Sequence, residues 1–84
     1  MKHASSTALD SLEPLLARLR EFGVIREKSR GVFYFRSKAF LHFHEDPTGL
    51  YADLRAGSDF ERFKVDSPAQ QEKFLAIVRR RLTD

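Results

Sequence analysis

Phe33-Tyr34-Phe35-Arg36-Ser37-Lys38-Ala39-Phe40-Leu41-His42-Phe43-His44 is the stretch whose reading decides the fold. Apolar and polar side chains alternate along much of it, and six of the ten aromatic residues of the chain fall between Phe33 and Tyr51. A period of two sends neighbouring side chains to opposite faces, which is the pattern of half-buried antiparallel strands.

Strands are expected on either side of this centre, at 24–28, 32–36, 39–45, 50–56 and 60–65. Asp46-Pro47-Thr48-Gly49 is the clearest turn, because Asp, Pro and Gly stand at the first, second and fourth places of a type I turn. Gly57-Ser58 makes the next reversal, and a tight turn is expected around Ser37-Lys38. Helices flank the strands. The first is expected to start with Ser11 as N-cap, which keeps Pro14 in the opening turn where its missing N–H costs nothing. Leu12, Leu15, Leu16, Leu19 and Phe22 then form one stripe, and Gly23 closes the helix. The last helix opens on Ser67-Pro68-Ala69-Gln70, a capping box with proline at the first helical position. Phe74, Leu75, Ile77, Val78 and Leu82 form its apolar side.

Residues 1–10 are small and polar without periodicity, and are expected to be disordered. Residues 11–84 then form a single α+β domain. It is a two-layer sandwich, in which an antiparallel four- or five-stranded meander carries the N- and C-terminal helices on one face.

Register follows from the turns. If Glu45 stands opposite Leu50, the pairs His44–Tyr51, Phe43–Ala52, His42–Asp53 and Leu41–Leu54 follow. Leu41, Phe43, Leu50, Ala52 and Leu54 then share the helix-covered face, with Phe63 and Val65 beside them. Burying Phe33 and Phe35 rather than Tyr34 needs an odd residue count at the Ser37 turn, such as a three-residue loop with a bulge. About 25 cal/mol per Å2 of buried apolar area favours that choice. The open face then carries Tyr34, Arg36, Phe40, His42, His44, Tyr51, Asp53, Arg55, Phe60, Arg62 and Lys64.

This order of elements over about residues 12–82 resembles the frataxin-like architecture, shared by the MmcQ/YjbR-type bacterial domains. Frataxins present an acidic ridge for iron on their first helix and strand, whereas this first helix mixes Arg18 and Arg20 with Glu13 and Glu21. The strings Gly31-Val32-Phe33-Tyr34-Phe35 and Lys38-Ala39-Phe40-Leu41-His42-Phe43-His44-Glu45-Asp46 also resemble small bacterial proteins of unassigned function. Neither resemblance implies an activity.

Composition narrows the function classes. With no cysteine, neither disulfides nor thiolate metal ligands are available. Fifteen Lys and Arg against twelve Asp and Glu give a net charge of +3, a mild bias toward anions. No apolar run is long enough to span a bilayer, and the first residues lack the apolar core of a secretory signal, so a cytoplasmic protein without membrane contact is expected. No nucleophile motif and no Gly-rich phosphate loop is present, so no catalytic residue, cofactor or small-molecule substrate is assigned.

The reading is a small non-enzymatic binding module. Tyr34, Arg36, Phe40, His42, His44, Tyr51, Arg55, Phe60, Arg62 and Lys64 form its contact face for a protein partner or a second copy. Single-stranded nucleic acid is the alternative, because aromatics stack bases while Arg and Lys neutralise phosphate. A divalent metal held by His42 and His44 is the second alternative. The two imidazoles stand about 6.5–7 Å apart at Cα on one side of a strand, with no third ligand evident.

Overall fold

The computed structural model describes residues 2–83. Its elements are β1 (Lys2–His3), α1 (Ser6–Ser11), α2 (Glu13–Arg20), β2 (Ile25–Ser29), β3 (Val32–Phe35), β4 (Lys38–Asp46), β5 (Gly49–Ala56), β6 (Asp59–Lys64) and α3 (Pro68–Thr83). Strands β2 to β6 form an antiparallel meander in chain order, so the expected α+β architecture is the one observed. Leu15, Leu16 and Leu19 of α2 and Phe74, Leu75 and Val78 of α3 share one core with Phe33, Leu41, Phe43, Ala52 and Leu54 of the sheet. No helix among the described residues is long and apolar enough to cross a membrane.

The register of the last three strands is as expected, with Leu41 opposite Leu54, His42 opposite Asp53, Ala52 opposite Phe63 and Asp53 opposite Arg62. Two-residue loops set it. At Asp46 the side chain accepts the backbone N–H and the hydroxyl of Thr48 and so holds the turn. The capping box of α3 also forms. Ser67 Oγ accepts the Gln70 N–H at 3.1 Å, and Gln70 Oε1 accepts the Ser67 N–H at 3.0 Å.

The β3–β4 connection differs from expectation. It is an even, two-residue turn, with Phe35 opposite Lys38 and both Arg36 (φ 54°) and Ser37 (φ 69°) in left-handed conformation. The odd residue sits further on. Tyr34 pairs with Ala39 but Phe33 pairs with Leu41, so Phe40 is the extra residue of a β-bulge. The bulge restores the parity that keeps Phe33 and Phe35 toward the helices. It also swings Phe40 to that side, where it is 4% exposed and belongs to the core.

The amino-terminal segment also differs from the disordered stretch expected at residues 1–10: residues 2–10 are built into the fold, and Met1 lies outside the described residues. Strand β3 covers only the first half of the nine-residue β4, which leaves the second half of that edge bare. β1 fills it, pairing Lys2 with Glu45 and His3 with His44, and the Ala4 N–H donates to the Phe43 carbonyl at 3.1 Å. Ser5 then caps α1. The helix is not one rod from Ser11, because Pro14 offers no N–H to the turn before it; the chain breaks at buried Leu12 and restarts at Glu13. Gly31, at φ 80°, lets Leu9 close on the β2–β3 turn, since a Cβ there would meet the Leu9 side chain at 2.7 Å.

Candidate metal centre

Period-two alternation puts His42 and His44 side by side on the face of β4 away from the helices, and β1 delivers His3 directly opposite His44. All three histidines of the chain therefore gather in one place. The His3 and His44 rings stack at 4.9 Å between centroids, and His42 meets His44 edge-on at 4.9 Å. One potential donor atom from each imidazole lies within 4.8 Å of the others. His44 is 9% exposed, His42 is half-buried and His3 is exposed.

Behind the rings stands a charged pair. Asp53 is 6% exposed, and its two oxygens accept from Arg62 Nε at 2.8 Å and Nη2 at 3.0 Å. Its Oδ2 also lies 3.1 Å from His44 Nε2, close enough for an ion pair but off the line of a hydrogen bond. Burial works against the Asp53 charge, but the Arg62 hydrogen bonds and charge, with His44 and His42, outweigh it and hold the pKa below its ordinary value. Burial pushes the His42 pKa down. Asp53 opposes that shift, while His44, His3 and Arg62 add to it, so the net effect favours the neutral imidazole. Three buried ring nitrogens, His42 Nδ1 and His44 Nδ1 and Nε2, have no hydrogen-bond partner among the described residues. Buried polar atoms in that state call for an explanation.

The other residues expected on the contact face are mostly engaged. Phe40 is the plain correction, since the bulge buries it against Phe35 at 5.4 Å between ring centroids. Arg36 sits in the turn rather than on the sheet, with its guanidinium 4.8 Å from the Phe35 ring centre. Tyr51 shares a 2.7 Å hydrogen bond with the Thr48 hydroxyl, and Arg55 donates to the Ala39 and Gly57 carbonyls. Arg62 is spent on Asp53, Lys64 lies 3.7 Å from Asp66, and Lys28 sits over the Tyr34 ring at 4.8 Å. Phe60, 37% exposed, leans on His42 at 5.0 Å and forms an apolar wall beside the cluster.

His42, His44 and the Asp53 register are legible in the sequence, whereas the place of His3 is not, because β1 is too short to show a period. The length mismatch of β3 and β4 is the signal for it, because it leaves part of the β4 edge open to another strand. Searches against protein-family models, curated proteins and solved structures return no match for this chain.

Proposed function

We propose that the protein binds a divalent transition metal through His3, His42 and His44. The observation that carries this reading is the set of three imidazoles with donor atoms within 4.8 Å of one another, two of them holding buried nitrogens without partners. Zinc–nitrogen bonds of about 2.0–2.1 Å put tetrahedral donors roughly 3.3 Å apart, so the three rings would draw closer together on binding one ion. An all-imidazole set suits zinc, copper, nickel or cobalt better than magnesium or calcium, which take oxygen ligands. Asp53, itself held by Arg62, stands 3.1 Å from His44 Nε2 and would lend negative charge beside a cation bound by the cluster. Three protein ligands leave a coordination position for water or an outside donor. Thermal melts with zinc and with a chelator test this reading. Zinc is expected to raise the midpoint of the wild type and to leave that of His44→Ala unmoved, because a ligand stabilises only through tighter binding to the folded form. Equal melts with and without zinc would refute it.

A second reading, for an anionic partner such as single-stranded nucleic acid, draws on the far end of the same face. Arg26, Lys28 and Arg36 line a depression of about 250 Å3 with Val24, Tyr34 and Ser37. None of those three cations forms an ion pair among the described residues, unlike Arg18, Arg20, Arg30, Arg62 and Arg81. Binding of an oligonucleotide there would weaken steeply with salt. A salt-independent complex, or one insensitive to Lys28→Glu, would count against it.

A further inference from the structure

We infer that the metal acts as a latch on the amino-terminal strand: binding ties residues 2–5 down on the edge of β4, and metal loss lets them go. The inference rests on the metal reading above and says how that site is controlled.

Two of the three ligands, His42 and His44, belong to β4, the longest strand of the sheet and paired with β5 along most of its length. The third, His3, stands on a strand of two residues, both exposed. Little apolar area holds β1 in place. Its register consists of two residue pairs, Lys2 with Glu45 and His3 with His44. Beyond these, the segment is held by the Ala4 N–H bond to the Phe43 carbonyl, the Ser5 N–H bond to the Glu45 carboxylate, the stack of His3 on His44 and the partly buried methyl of Ala4. A few net hydrogen bonds about match the entropy lost in fixing the same few residues. Docking of β1 is therefore close to balance without a further tie.

Just beyond, the chain is firmly anchored. Leu12 is fully buried, Ala8 is buried, and Leu9 packs against the turn at Gly31. Release therefore stops at α1, and His3 stays tethered within a few residues of its place. The tether keeps its local concentration high, so rebinding needs no partner.

Linkage fixes the size of the effect. A metal that needs all three imidazoles binds the docked form alone and multiplies the docking equilibrium by one plus the ratio of free metal to Kd. If the undocked form still binds through His42 and His44, the gain shrinks to the ratio of the two affinities. In the released state the edge of β4 between Phe43 and Asp46 is unpaired on that side, and His44 loses the ring stacked on it. Such an edge accepts another extended strand.

Amide hydrogen exchange, read beside calorimetry with zinc, tests the latch. At free zinc about a hundred times Kd, exchange at Ala4 is expected to slow by up to about a hundredfold. Val65, whose N–H bonds to the Leu50 carbonyl at 2.9 Å, should change only as global stability changes. In His3→Ala, zinc should bind more weakly and lose its effect on Ala4, with the Val65 rate without zinc unaltered. Zinc that binds with the Ala4 rate unmoved would overturn the latch and leave the metal site standing. The same slowing in His3→Ala would overturn it too. Absence of any zinc binding by calorimetry would overturn the metal reading, and the latch with it.

Discussion

Phe40 packs against Phe35 on the helix side of the sheet, with ring centroids 5.4 Å apart. Phe40 gets there because a β-bulge gives β4 one residue more than β3, so that it and Leu41 turn to the same face. Truncation of Phe40 should therefore behave as a core truncation. Phe40→Ala is expected to cost about 3–5 kcal/mol, similar to Phe43→Ala, as for large-to-small changes in cores. Phe60→Ala, at a position 37% exposed, should cost distinctly less. Urea melts of the three variants check this, and a Phe40→Ala variant as stable as the wild type would contradict the bulge.

The turn that joins β3 to β4 carries strain. Arg36 and Ser37 both hold positive φ, where an L side chain costs roughly 1–2 kcal/mol and glycine nothing. Ser37→Gly should then stabilise the protein by about 0.5–1 kcal/mol, once the greater freedom of glycine in the unfolded chain is subtracted. The measurement is the denaturant midpoint, with an unchanged slope.

Acid should act through Glu27. Its carboxylate accepts from Arg20 at 2.6 Å and 3.2 Å and from the Gly31 N–H at 2.9 Å. The Arg20 hydrogen bonds are the main reason its pKa lies below the ordinary 4.5, burial opposes the shift, and the Gly31 bond adds to it. A pKa depressed in the folded state contributes stability above the unfolded value, which is lost as pH falls through the folded one. Glu27→Gln should therefore be less stable than the wild type at pH 7, and the gap should narrow below pH 4.5. Parallel urea melts at pH 7 and in acid would show it; a constant gap would argue against the linkage.

Much of this fold was legible because strand parity and turn chemistry agree across β4, β5 and β6. The Asp46 turn and Gly57 fix the register, and the apolar side chains then choose the face. Phe40 was not legible, since a bulge is a one-residue event that composition does not announce. Burial of Phe33 and Phe35 demanded an odd residue, but nothing in the sequence said that it lay in the strand rather than in the turn. The amino-terminal segment failed for another reason. His3 belongs to an element whose cause is tertiary, the bare second half of β4, and two residues carry no period of their own. The candidate site was thus two-thirds readable, from His42 and His44, and completed only by the fold.

The central claim is that these three imidazoles hold one metal. Because the chain has three histidines and all three lie in the cluster, the ring nitrogens report on that site alone. Long-range proton–nitrogen correlation spectra should be followed as zinc is added at neutral pH. The account predicts that one nitrogen of each of His3, His42 and His44 shifts in step and that the change is complete at one equivalent. Rings that stay unmoved by zinc, or a response at His42 and His44 with His3 unaffected, would contradict it.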